Sequence, residues 1–243
     1  MRVKPLHPYP ALLLYDDNER YVIISDLHIG FEEQYTKKGI TIDDNYIYDM
    51  VEELKIINNT VKPNEFILLG DIKDSIAKIN KNEWRLVPEF LECLKEVNDI
   101  TIIPGNHDNN IDSLTPAGIN ITSPQGLVID DTLLIHGHTI PKYLNVKRIV
   151  MGHLHPKIVK EGSVLNGERV WIFVRIDKSI FAENGVLDII ILPTFNKYLN
   201  SNRRYDNTIA PLLKRVNEKI LDCLIVTLDG SIVGNKDMLN HLI

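Results

Sequence analysis

Tyr21-Val22-Ile23-Ile24-Ser25-Asp26-Leu27-His28 is a short apolar run that stops abruptly on a serine, an acid and a histidine. The same construction recurs along the chain. Residues 66–69 lead into Gly70-Asp71, residues 100–103 into Pro104-Gly105-Asn106-His107-Asp108, residues 133–135 into His136-Gly137-His138, and residues 149–151 into Gly152-His153-Leu154-His155. Short runs rich in Ile, Val and Leu and bounded by turn residues read as buried strands. Helical patterns separate the first three. Thr41-Ile42-Asp43-Asp44 has the form of a capping box ahead of Ile47, Met50, Val51 and Leu54, and residues 83–97 set Trp84, Val87, Phe90, Leu91, Leu94 and Val97 on one face. Strand, helix, strand, helix, strand predicts an α/β fold with parallel pairing and right-handed crossovers.

The second half changes character. Residues 126–129, the Asp130-Asp131 turn and residues 132–135 predict a β-hairpin, and residues 170–176 and 187–192 are further strands. The stretch between those two, containing Asn184-Gly185, reads as either a turn or a short helix. No linker, repeat or low-complexity segment interrupts the chain. One domain over residues 1–243 is therefore expected, with the motifs in 26–155 and C-terminal strands plus a basic segment in 156–243.

A chain of 243 residues with 44% hydrophobic and 25% charged residues has the balance of an ordinary globular protein. No uncharged apolar stretch approaches the ~18 residues of a membrane span. The apolar run 11–14 is too short for a signal peptide, and three prolines precede it. Cys93 and Cys223 are far apart and suit buried thiols in a reducing compartment, so a cytoplasmic location is expected. Net charge is −6, from 33 acids and 27 bases, which argues against a protein coated by nucleic acid. Residues 197–219 are the local exception, with Lys197, Arg203, Arg204, Lys214, Arg215 and Lys219 against Asp206 and Glu218. A solvated surface is the plainer reading of that run, and a track for phosphates is the other.

In an open parallel sheet, ligands bind beyond the carboxyl ends of the strands. Six of the eight histidines (28, 107, 136, 138, 153 and 155) fall in these strand exits, together with Asp26 and Asp71. In extended backbone, residues i and i+2 point the same way, so Asp26 with His28, and His153 with His155, can reach one metal centre or two neighbouring ones. Gly70, Gly105, Gly137 and Gly152 allow tight turns beside them. Carboxylate, imidazole and amide donors favour manganese, iron or zinc over an all-oxygen calcium cage.

Asp26-x-His28, Gly70-Asp71-x-x-Asp74, Gly105-Asn106-His107-Asp108, His136-Gly137-His138 and Gly152-His153-x-His155 resemble, in order, the motif set of the calcineurin-like metallophosphoesterases. Within that superfamily, Asp26-Leu27-His28-Ile29-Gly30-Phe31-Glu32, Gly152-His153-Leu154-His155-Pro156 and Leu192-Pro193-Thr194-Phe195-Asn196 are similar to the archaeal SbcD-related phosphoesterases and the DNA-ligase-associated metallophosphoesterases. The narrower group often has Lys-His where Lys73-Asp74 stands here.

The resemblance implies a mixed β-sandwich flanked by helices, a four-layer αββα arrangement built from two βαβαβ-like halves. It implies two divalent metal ions, manganese foremost, with iron, zinc, nickel, cobalt and magnesium as the other candidates. Asp26, His28, Asp71 and His155 would hold one ion and Asp71, Asn106, His136 and His153 the other, with Asp71 bridging. A metal-activated hydroxide would then attack phosphorus, and His107 would stabilise the transition state and protonate the leaving oxygen, oriented by Asp74 or Asp108. His138, Arg203 and Arg204 are assigned to the substrate. Phe31, Tyr35 and Trp171 either line a nucleoside pocket or simply pack. The expected activity is hydrolysis of a phosphodiester in a nucleotide, DNA or RNA. The alternatives are a phosphomonoesterase or small-molecule phosphatase, and a non-catalytic metal-binding scaffold of the same fold. A DNA-repair partner such as a ligase or helicase, and a homodimer, are in keeping with the resemblance, and no membrane is.

Overall fold

The computed structural model describes residues 1–36, 38–141, 145–181, 183–199 and 211–239. Two sheets pack face to face. Across the first lie β1 (Arg2–Pro5), β2 (Leu12–Tyr15), β3 (Arg20–Ile24), β4 (Glu65–Leu69), β5 (Asp99–Ile103) and β6 (Asn120–Ile121), in chain order. β1, β2 and β3 form an antiparallel meander, and β3 to β6 pair in parallel. The short α1 (Glu32–Thr36) and the long α2 (Tyr46–Val61) connect β3 to β4, and α3 (Lys81–Lys95) connects β4 to β5.

The second sheet is built from β7 (Leu127–Ile129), β8 (Thr132–Ile135), β9 (Arg148–Met151), β10 (Val170–Asp177), β11 (Val186–Ile191), β12 (Ile220–Thr227) and β13 (Ile232–Asn235). Their order across the sheet is β13-β12-β10-β11-β9-β8-β7. The hairpin β7–β8 forms as expected, β8–β9 and β9–β11 are parallel, and β10 is antiparallel to both β11 and β12. Residues 178–181 make a short 3-10 helix, which resolves the turn-or-helix alternative. The short helices α4 (Pro211–Val216) and α5 (Lys236–Leu239) complete the chain order.

Strand alternation distributes the apolar side chains over three layers. Val22 and Ile24 on β3, and Phe66 and Leu68 on β4, point to the helices α2 and α3. Their neighbours Ile23, Ile67 and Leu69 point inward and meet Leu134, Val150, Trp171 and Ile190 of the second sheet. Leu133, Ile149 and Ile172 face the other way, toward Leu212, Leu213 and Val216 of α4. A strand buried on both faces needs a continuous apolar run, and this is why these strands read so plainly. Trp171 and Phe31 are fully buried packing residues in this arrangement.

Several expectations change. α2 begins at Tyr46, and its N-cap Asn45 makes no side-chain capping bond, so Thr41-Asp44 is not a capping box. Asp43 instead accepts from the Asn45 backbone N–H at 3.1 Å, closing a local turn. α3 carries the capping box, between Asn80 and Glu83. Its buried face is Glu83, Leu86, Val87, Phe90, Leu91 and Leu94. Trp84 lies about 100° round the helix from Glu83 and is 54% exposed, not buried. The two halves also differ: among the described residues no helix joins β8 to β9, so the second sheet is not a βαβαβ unit.

The two tryptophans test this assignment. Trp171→Ala should lower the free energy of unfolding in urea by about 3–5 kcal/mol, whereas Trp84→Ala should change it by under about 1 kcal/mol. A larger loss at Trp84 would contradict the placement of the helix face.

Candidate functional site

The loops that leave β3, β4 and β9 do not continue as strand. Asp26 (φ 61°), His28 (φ 44°), Asp71 (φ 53°), His153 (φ 72°) and His155 (φ 45°) all adopt left-handed backbone. A non-glycine residue held there costs on the order of 1–3 kcal/mol and persists only where the surroundings dictate it. The same-side projection expected from extended i, i+2 geometry is therefore achieved differently. Successive tight turns, not strand alternation, aim these side chains together. Gly70 (φ 79°) shows how closely the loops pack, since a Cβ there would lie 2.3 Å from His136 Nδ1. At Gly152 a Cβ would lie 1.7 Å from Ser25 Oγ.

These turns gather donor atoms into three overlapping groups. Asp26, His28, Asp71 and His155 form one, Asp71, His136 and His153 a second that shares Asp71, and His28, Asp74 and His107 a third that shares His28, with the donor atoms of each group within 4.8 Å of one another. Asp71 Oδ2 lies 3.1 Å from His136 Nε2, 3.5 Å from His28 Nε2 and 3.8 Å from His107 Nε2. Asp26 Oδ1 lies 3.1 Å from His155 Nε2 and 4.0 Å from His136 Nε2. Both acids are buried.

The electrostatics call for positive charge at this spot. Burial pulls the Asp26 carboxyl up, but His155 and His136 outweigh it and bring it down to about 2. Burial likewise opposes charge on His136, yet Asp71 and Asp26 push that imidazole up to about 10. A proton can meet this demand, and so can a cation.

The donor set fits a metal ion. His136 Nδ1 donates to the Leu69 carbonyl at 2.9 Å, so that once the ring gives up its second proton the lone pair is on Nε2, the nitrogen facing Asp71. His136 Nε2, Asn106 Oδ1 and His138 Nδ1 are all buried without a hydrogen-bond partner. Buried polar atoms left unpaired are costly in free energy, and atoms of this kind are ones that ligate cations. His138 lies beside the second group, its ring centroid 5.6 Å from that of His136 and 6.2 Å from that of His153.

His107 is held by its Nδ1, which donates to the main-chain carbonyl of Asp74, while its backbone N–H donates to Asp71 Oδ1 at 2.9 Å. Neither carboxylate expected to orient the imidazole makes that hydrogen bond. The Asp74 carboxylate lies 3.2 Å from His28 Nδ1 and accepts from the Gln34 amide. The Asp108 carboxylate accepts from the backbone N–H groups of Ile72 (2.8 Å), Lys73 (3.3 Å) and Gly105 (2.8 Å), tying two loops together. Burial, with Asp71 adding to it, pushes the Asp108 carboxyl up to about 6. Burial also pulls the His107 and His138 imidazoles below their ordinary value. Arg203 and Arg204 lie outside the described residues. Of the rest of their basic run, Lys197 sits 3.2 Å from Glu53 and 3.6 Å from Asp49, and the Arg215 guanidinium stacks over Phe181.

One group of residues that position the site had no assigned role in the sequence. Phe195 N–H donates to the Ser25 carbonyl (2.9 Å), Thr194 Oγ1 to the Asp26 carbonyl (2.7 Å) and Asn196 Nδ2 to the Leu27 carbonyl (2.8 Å). From the other side, the N–H groups of Asp26 and His28 donate to Gly70 and Asp71. Arg169 Nη1 in turn holds the carbonyls of Thr194 and Phe195 at 2.7 and 3.0 Å. The segment after β11 is thus a strap that fixes the left-handed turn at 26–28. The Leu192-to-Asn196 motif marked the segment, and the tertiary hydrogen bonds show what it holds.

A family model described as calcineurin-like phosphoesterase matches residues 19–192, the span that contains every candidate metal ligand from Asp26 to His155. The chain belongs to that family. As a calcineurin-like phosphoesterase it is a metal-dependent phosphoesterase with two mixed sheets flanked by helices. Among solved structures, the Pseudomonas putida nuclease MPE aligns over 96% of this chain and 100% of its own, with a TM-score of 0.55 at 18% identity. Yfce, a phosphoesterase from E. coli, aligns over 88% of this chain and 97% of its own, with a TM-score of 0.42 at 17% identity. At 18% identity the likeness to the nuclease MPE is one of fold. No curated protein matches the chain. No helix among the described residues is long and apolar enough to cross a membrane.

The strap can be tested without any ligand. Thr194→Val keeps the shape but leaves the Asp26 carbonyl unpartnered, and should cost about 1–3 kcal/mol in urea unfolding. Thr194→Ser retains the hydroxyl and should cost under about 1 kcal/mol. Equal losses in the two variants would show that the hydrogen bond does not hold the turn.

Proposed function

We propose that this phosphoesterase hydrolyses phosphodiesters of the nucleotide or nucleic-acid class at a pair of divalent cations. The observation that carries the reading is the position of Asp71, whose buried carboxylate belongs both to the group of Asp26, His28 and His155 and to that of His136 and His153. Two dications ~3.5–4 Å apart repel one another and need an anion between them. Asp26, His28, Asp71 and His155 would hold one ion, and Asp71, Asn106, His136 and His153 the other. Nitrogen and oxygen donors of this mixture suit manganese, with iron, zinc, nickel, cobalt and magnesium as alternatives. When bound, the cations would neutralise phosphoryl charge and activate the attacking water.

The protein's own groups do the rest. The Leu69 carbonyl sets the His136 tautomer so that Nε2 is free to ligate. The Asp74 carbonyl orients His107 so that Nε2 faces the Asp71 side, where a protonated imidazole can donate to the departing oxygen. Asp108 and the strap hold the ligand loops in register and touch no reacting atom. The short motifs that resemble those of SbcD-related and ligase-associated enzymes support a nucleic-acid substrate, and the fold likeness to the Pseudomonas putida nuclease MPE is in keeping with it. Arg203 and Arg204 are the candidate phosphate contacts on the strength of the basic run in the sequence alone.

Manganese-dependent hydrolysis of bis-p-nitrophenyl phosphate measures the activity directly. His107→Ala should lower kcat by about 10²–10⁴-fold while calorimetry still shows manganese binding. Equal, negligible rates from wild type and variant with metal bound would replace this reading by a metal-binding scaffold. Asp71→Asn should weaken both binding steps in the same titration, and loss of only one step would refute the shared carboxylate.

A further inference from the structure

The peptide group between Asp74 and Ser75 is bonded at both ends. Its carbonyl accepts from His107 Nδ1, and its N–H donates to Glu83 Oε1 at 2.6 Å. A buried carboxylate and the His107 imidazole are thus joined through one peptide. The two acids nearest the ring in sequence are committed elsewhere, Asp74 to His28 and Gln34, and Asp108 to backbone N–H groups.

Helix capping accounts for only half of what Glu83 does. A glutamate at the third position of a helix closes a capping box with one oxygen, and Oε2 does so, accepting from the Asn80 N–H at 2.7 Å. Oε1 reaches out of the helix to Ser75. The side chain is fully buried, whereas capping needs no burial, and Gly30 makes room for it: a Cβ there would lie 2.5 Å from Glu83 Cγ. Lys73 Nζ, equally buried, donates to the Ser75 carbonyl, so the peptides on either side of Ser75 are each tied to a buried ionisable group. Hydrogen bonds in a chain polarise one another by ~10–30% per bond. An anion on the N–H therefore makes the carbonyl at the far end a stronger acceptor for His107. It also fixes the direction of the peptide, because a flip would set the carbonyl oxygen and the carboxylate, two acceptors, face to face.

We infer that Glu83 is a positioning residue for His107, acting through the Asp74–Ser75 peptide, which anchors the ring at Nδ1 and turns Nε2 toward Asp71. The hold on the ring stands on these contacts alone. Its effect on rate rests on the proposed phosphodiesterase reading, in which His107 meets the leaving oxygen. Glu83→Gln tests both. A glutamine has one acceptor oxygen, so it can close the cap or meet Ser75 but not both, and it carries no charge. With bis-p-nitrophenyl phosphate and the manganese-loaded full chain, the variant should lower kcat about tenfold at unchanged KM. Placed in His107→Ala, the same substitution should change kcat less than about twofold, since residues that act through one another are not additive.

The second readout needs neither metal nor turnover. In the metal-free chain with isotope-labelled histidine, the His107 Nδ1 proton gives an NMR signal identified by its absence from His107→Ala. Glu83→Gln should shift that signal upfield or broaden it away, while the His136 Nδ1 proton, held by the Leu69 carbonyl at 2.9 Å, should stay as it is. Should Glu83→Gln not fold, Glu83→Asp, which keeps the charge but shortens the reach, takes its place with about a threefold loss of kcat. An unmoved His107 signal, or the same fractional loss of kcat with and without His107, would overturn the inference. Absence of hydrolysis by the wild type would overturn the phosphodiesterase reading instead, and the signals would still decide whether Glu83 holds the ring.

Discussion

Asp71 has to be kept within reach of imidazoles that arrive from both sheets. His28 follows β3 and His107 follows β5, both neighbours of its own strand, but His136 comes from β8 on the opposite sheet. The separation of Asp71 and His136, 3.1 Å between donor atoms, is thus set by how the two sheets pack. Leu69, the residue two before Asp71, and Leu134, the residue two before His136, both lie in the apolar layer between the sheets. Close packing of that layer leaves little freedom to slide, so the core acts as the ruler for the site.

The loops then convert this rigid frame into convergent side chains at a local energetic cost. Five candidate ligand residues sit in left-handed backbone, a conformation that isolated chains avoid. Hydrogen bonds from outside the loops offset the strain. Three backbone N–H groups meet the Asp108 carboxylate, and the Thr194-Phe195-Asn196 strap takes the carbonyls of Ser25, Asp26 and Leu27. These supports bond to the backbone of the loops that carry the candidate ligands. The same network explains why close glycines line the loops: at Gly70 there is no room for a Cβ beside the His136 ring.

Polarity divides the surroundings of His107 in two. On one side buried carboxylates and imidazoles create a demand for positive charge, met by protons or by cations. On the other lies a small cavity whose polar wall is tied up within the protein, Gln34 on the Asp74 carboxylate and Asn80 on Ser75 Oγ. The imidazole between them is held by a main-chain carbonyl, which leaves both acidic side chains to other tasks.

Much of this was legible from residue order. Apolar runs buried on both faces stand out at any point in a chain, so β3, β4, β5, β8 and β9 could be read directly, and the donors at their ends followed. Edge strands such as β1 and β13, and the outward turn of Trp84, were not legible, because half-exposed segments carry a weak pattern. The sequence by itself determined the set of donor types and the strand exits that carry them, since both depend on local composition and periodicity. Only the tertiary structure decided which atoms meet: that His107 is held by the Asp74 carbonyl, that Asp108 serves the backbone, and that residues 194–196 clamp a turn some 170 positions away in the chain. Those contacts join segments that are distant in sequence, and it is the packing of one sheet on the other that brings them within hydrogen-bonding reach.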